Sequence, residues 1–171
     1  MTLRRLVRRL AQVLPILIAG PLVANCTGTT PEPSSPGHAC TDIGCVDGLH
    51  VTLKPAGGLW TKGRYTFEIT TPLGTTTCEG ALPLPACEAG RALSCSGPPV
   101  SIGESGCALP AEQQGFASID LASGPTQASI VIRKAGTELV HRTIKPDYRV
   151  SSPNGPGCEP TCRQASDTLA L

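Results

Sequence analysis

Large rings are scarce in this chain. Its 171 residues include one Trp, two Tyr and two Phe, at positions 60, 65, 148, 67 and 116. A core with so few rings buries less apolar area, and exported domains often compensate with disulfides. Basic clusters are missing too. Apart from Arg4, Arg5, Arg8 and Arg9, no run of Lys or Arg could hold phosphates in a row, which excludes nucleic acid as a partner. No uninterrupted apolar run reaches the roughly 20 residues that span a bilayer. No Gly-rich loop opens a helix, so there is no phosphate cradle. No His-x-x-x-His or Glu-flanked pair suggests a catalytic metal. "GESGC" at 103–107 lacks the Gly-x-Ser-x-Gly form of a nucleophile elbow. The acids Asp42, Asp47, Glu79 and Glu88 are scattered beside cysteines rather than paired for sugar hydrolysis. The expectation is a protein that is not an enzyme and carries no cofactor or metal.

What is present starts with an address. "MTLRRLVRRL" is a positive n-region, and "AQVLPILIAGPLVA" is an apolar stretch broken by Pro15, Gly20 and Pro21. Together they read as an export signal over residues 1–25. The apolar stretch has no polar face, so a helix lying in the interface does not fit. Arg4-Arg5 and Arg8-Arg9 are arginine pairs, but the residues after them do not follow the twin-arginine pattern.

The end of the signal, "LVANC", resembles the lipobox of bacterial lipoproteins, in which a small apolar tripeptide precedes a cysteine. The resemblance implies that Cys26 takes a diacylglycerol on its thiol and becomes the mature N-terminus, held to a membrane by its lipid. The other outcome is ordinary cleavage between Ala24 and Cys26, which gives a freely secreted chain. In either case the four n-region arginines go. Against 14 basic and 13 acidic residues overall, their loss takes the formal charge from +1 to near −3.

Nine cysteines make an odd count. Setting Cys26 aside leaves Cys40, Cys45, Cys78, Cys87, Cys95, Cys107, Cys158 and Cys162, which read as four disulfides in an exported chain. Acylation would remove the one odd thiol. The competing reading is a zinc site built from "CTDIGC" and "CEPTC", but the export signal and the wide gaps speak against it. Spacing does not fix the pairing. Closing the longest loops constrains the unfolded chain most. The terminal clusters are therefore expected to pair with each other, with at least one bridge from Cys40 or Cys45 to Cys158 or Cys162. The inner four are expected to pair among themselves.

Residues 26–38, from the lipidated cysteine through "TGTTPEPSSPGH", read as a Thr/Pro/Ser-rich tether with a solvated His38. The folded domain is expected over 39–165, and 166–171 as a C-terminal tail. "GLHVTLK" alternates Leu49, Val51 and Leu53 against His50, Thr52 and Lys54, the period-2 signature of a half-buried strand. "GRYTFEITTPLG" repeats it with Tyr65, Phe67 and Ile69 inward, and turns at Pro72–Gly74 into "TTTCEGAL". "RALSCS" is a weaker strand. "FASIDLASG" offers Ala117, Ile119 and Leu121 on one face. A hairpin follows, with Ile130 and Ile132 leading to a turn at Ala135-Gly136 and Val140 and Ile144 returning. Pro146 ends it, and "SSPNGPGCEPTC" is turn chemistry. "PAEQQGFA" offers one helical turn at most. His50 and His141 fall on solvent faces.

About seven short strands with Gly/Pro turns point to an all-β fold. It is a small, disulfide-rich antiparallel β-sandwich of immunoglobulin-like architecture, with a small barrel as the rival.

Over most of its length the chain resembles cysteine-rich lipoproteins and secreted proteins of Gram-negative bacteria. The signal ending in Cys26, "CTDIGCVDG", "GRYTFEI", "GCALP" and "PNGPGCEPTC" carry that resemblance. It implies the envelope or exterior as location and no particular activity. Thr27 after the cysteine, rather than Asp, implies the outer membrane under the sorting rule known for such lipoproteins. The expected role is a tethered, non-enzymatic module for binding or structural organisation, with an unidentified protein or glycan partner. The alternative is a secreted enzyme inhibitor or small enzyme using Cys/Pro-rich loops such as "LPLPACEAG".

Overall fold

Alternation along the strands decides which side chains are buried. The structure is a computed structural model that describes residues 39–171. The signal over 1–25, Cys26 and the tether to His38 lie outside the described residues. Leu49, Val51 and Leu53 of β1 (Gly48–Lys54) and Tyr65, Phe67 and Ile69 of β2 (Gly63–Thr71) are all buried, as their spacing requires. β2 turns through Pro72 and Leu73 into β3 (Gly74–Leu82), pairing residue for residue back to Leu82. β4 (Ser94–Ser96) adds an edge. β7 (Ala128–Lys134) and β8 (Thr137–Ile144) form the expected hairpin around Ala135-Gly136.

The described residues hold ten strands rather than seven. The additions are β5 (Ser101–Ser105), β9 (Arg149–Ser151) and β10 (Cys162–Ala170), beside β6 (Gly115–Leu121). They form two five-stranded sheets, ordered β5-β6-β1-β10-β9 and β4-β3-β2-β7-β8. The fold is a disulfide-braced β-sandwich. All the pairings are antiparallel except β1 with β10, which run parallel from Gly48↔Gln164 to Lys54↔Ala170. The expected tail over 166–171 is therefore a strand beside β1. Leu169 is buried, and the Leu171 amide still donates to the Lys54 carbonyl at 2.9 Å. The domain thus runs to the last residue and not to 165.

Ala117 corrects a second expectation. Gly103 pairs with Ser118 but Glu104 pairs with Phe116, so Ala117 is the extra residue of a β-bulge. The bulge turns Ala117 outward and delivers Phe116 to the core. Phe116 then meets Trp60, Tyr65 and Phe67 edge-on, with centroids 5.2, 5.5 and 5.0 Å away. Four of the five aromatic rings are thereby concentrated in one cluster, a geometry that adds to their area burial. Gly115 permits it: a Cβ there would stand 2.1 Å from Trp60 Cδ1.

The bridges are Cys40–Cys158, Cys45–Cys162, Cys78–Cys95 and Cys87–Cys107. The terminal clusters pair with each other and the inner four among themselves. Between the two terminal bridges, Asn154 is buried and uses its whole side-chain amide. Its Oδ1 accepts from Thr41 Oγ1 (2.6 Å) and the Ile43 amide (2.9 Å). Its Nδ2 donates to the Ile43 carbonyl (2.9 Å) and the Glu159 carbonyl (2.7 Å). A segment poor in apolar residues is fixed by polar and covalent links instead of burial.

Candidate functional site

The outer face of the first sheet is polar and ordered in rows. Ser101, Asp120, His50 and Ser166 lie in register across β5, β6, β1 and β10. His50 Nδ1 and Asp120 Oδ1 are 2.6 Å apart, an ion pair whenever the imidazole is protonated. Ser118 Oγ donates to Asp120 Oδ2 at 2.9 Å. Thr52 Oγ1 stands 3.4 Å from His50 Nε2.

This order of carboxylate, imidazole and hydroxyl is the order of a nucleophile relay. The setting is not that of one. His50 and Asp120 are 53% and 45% exposed in their side chains, and water weakens both the pairing and any charge it would stabilise. The 3.4 Å approach to Thr52 is at the limit of a hydrogen bond.

One row closer to the terminal bridges the central strand carries Gly48 and no side chain. Around it opens a hollow of about 670 Å³. Leu49, Leu121, Ala122 and Pro153 give it apolar surface, and His50, Asp120, Ser101 and Gln164 give it polar groups. Gly48 is required for the close contact of β1 with β6: with φ at +113°, a Cβ would stand 2.2 Å from the Leu121 carbonyl oxygen.

The remaining wall is the loop Gly44–Asp47, held in three ways. Cys45 is bridged to Cys162. Asp47 Oδ1 accepts the Arg163 amide at 2.6 Å, and Gln164 Nε2 donates to the Val46 carbonyl at 2.7 Å. Val46 itself is 73% exposed at the rim. The hollow is thus set by covalent and polar links before any ligand arrives.

The remaining singled-out residues are dispersed. His141 lies on the outer face of the second sheet, 3.2 Å from Ser129 Oγ. "GESGC" ends β5. Its Glu104 carboxylate accepts the Ala92 and Leu93 amides, each at 3.0 Å, and pins the Cys87–Cys107 loop to the sandwich. Among the described residues no three His, Cys, Asp or Glu side chains gather as a metal site. Four disulfides suit a chain that folds in an oxidising space outside the cytosol. Asp120 was missed in the sequence, because its pairing with His50 depends on the β1–β6 register. Gly48 before an alternating strand was the one readable sign of the hollow. No family model, curated protein or solved structure matches the chain.

Proposed function

We propose that this protein is a non-enzymatic, lipid-anchored binding module of the cell envelope. Cys26 carries the lipid, residues 27–38 are the tether, and the hollow over Gly48 receives the partner. The observation that carries this reading is the locked wall of the hollow. A site whose walls are already fixed loses little conformational freedom when it is filled. Its volume lies within the range of small-ligand pockets, and its lining mixes apolar surface with a few polar groups as such pockets do. The half-exposed His50–Asp120 pair suits recognition at a wet rim better than catalysis.

Two measurements test the reading. Cys26→Ala should move the protein from the detergent phase to the aqueous phase, and unchanged partitioning would refute the anchor. A photo-crosslinking residue at Val46, on the rim, should capture a partner in intact cells. The same residue at Thr77, on the outer face of the second sheet, should not. Equal capture at both positions, or none at Val46, would refute the hollow as the site.

A further inference from the structure

Asn154 is followed by Gly155, and these two residues set up a reaction that the native fold opposes. An unhindered glycine amide after asparagine is well placed to attack the side-chain carbonyl carbon. The new bond joins Gly155 N to Asn154 Cγ, the Cγ–Nδ2 bond breaks, and Nδ2 leaves as ammonia, taking up the proton that the Gly155 amide gives up. Water then opens the succinimide at either carbonyl, giving aspartate or isoaspartate.

In the folded protein both reacting groups are held. The Gly155 amide donates to the Ser152 carbonyl at 3.0 Å. The Asn154 amide makes four hydrogen bonds, and the residue is only 8% exposed. Three of those four bonds reach Thr41 and Ile43, which lie between Cys40 and Cys45. The fourth reaches Glu159, between Cys158 and Cys162. The geometry therefore rests on the two terminal bridges.

We infer that Asn154 is a deamidation site closed by the Cys40–Cys158 and Cys45–Cys162 bridges. An unbridged chain is open to the reaction, and the product cannot rebuild the native knot. A carboxylate at 154 would still accept from Thr41 and Ile43. Its second oxygen would face the Ile43 and Glu159 carbonyls, where Nδ2 now donates, and two attractions would become two repulsions. Isoaspartate would also lengthen the backbone by one carbon. Deamidation thus makes failure to form the terminal bridges permanent.

The test compares the purified mature protein, oxidised, with the same protein reduced and alkylated. Both are incubated at mildly alkaline pH and mapped by peptide mass spectrometry. Asn25 is the chain's other asparagine and falls in the signal, so the assignment is direct. A reaction confined to open states slows with their population, and deamidation at Asn154 should be more than about tenfold slower in the oxidised protein. A second arm refolds Asn154→Asp from the reduced state. It should recover the two terminal bridges poorly, while Asn154→Gln, lacking the reactive spacing, should not deamidate when reduced. Equal rates in the oxidised and reduced protein would overturn the inference. So would full recovery of the terminal bridges by Asn154→Asp.

Discussion

Either terminal disulfide taken alone is worth less than its span suggests. Cys40–Cys158 and Cys45–Cys162 join residues 118 and 117 apart. In the chain-entropy model a loop of that length is worth about 4.9 kcal/mol at 25 °C. The two bridges lie side by side, however. With Cys40–Cys158 intact, Cys45–Cys162 closes a ring of only about ten residues, worth about 2.7 kcal/mol. Cys78–Cys95, with a separation of 17, is worth about 3.1 kcal/mol on the same scale. Replacing Cys45 and Cys162 with serine should therefore cost slightly less than replacing Cys78 and Cys95. Removing both terminal bridges should cost about 7.5 kcal/mol, a large share of the roughly 5–15 kcal/mol that holds a domain together. The assay is urea unfolding under non-reducing conditions, followed by Trp60 fluorescence. A loss near 5 kcal/mol from one terminal bridge alone, or a double loss equal to twice the single one, would refute the reasoning.

Two further outcomes follow from single positions. Gly48→Ala should cost more than about 2 kcal/mol, because its Cβ would meet the Leu121 carbonyl at a left-handed φ, while Gly44→Ala, with nothing within 4 Å, should stay within about 0.5 kcal/mol of the parent; equal melting temperatures for the two variants would contradict this. Burial raises the Tyr148 phenol above its usual 10.0, with the stacked Arg163 guanidinium pulling the other way. Its contribution to stability should be complete below pH 10 and be lost as pH rises through the folded value, since the unfolded chain ionises first. Tyr148→Phe should flatten that part of the stability–pH curve, and an unchanged slope would count against it.

The strands that were legible in the sequence bury their apolar side chains in strict alternation. β1 and β2 are of this kind, and the β7–β8 hairpin was legible from Ile130, Ile132 and its Ala135-Gly136 turn although Val131 is buried as well. β10 was not legible, because of its alternate residues Arg163, Ala165, Asp167 and Leu169 only two are apolar, and only the last three pair with β1, as Leu49↔Ala165, Val51↔Asp167 and Leu53↔Leu169. Two of those four are charged, and both find partners from distant strands or loops. Arg163 stacks on Tyr148 at 4.0 Å. Asp167 meets Arg142 of β8, whose Nη1 also donates to the Thr168 carbonyl at 2.9 Å. Periodicity counts apolar residues, so a strand satisfied by charge pairs reads as a tail. Ala117 was misplaced for a different reason: a bulge shifts the phase of a strand without leaving a mark in its composition. Beyond Gly48, the hollow was illegible because it depends on which strands are neighbours.

The pairing of the two terminal bridges also determines where a pulling force would travel. Tension between Ala39 and Leu171 enters at Cys40 and crosses to Cys158, or continues to Cys45 and crosses to Cys162. From there it leaves along β10. The chain between residues 46 and 157 lies off that route, held in a covalent loop that tension on the ends does not extend. At about 3.5 Å per residue, only the short segments outside the crossings can lengthen. Such a load would be borne by sulfur–sulfur bonds and one strand, and the two walls of the hollow that lie on its path, the Gly44–Asp47 loop and Gln164 of β10, are the ones that the Cys45–Cys162 bridge ties together.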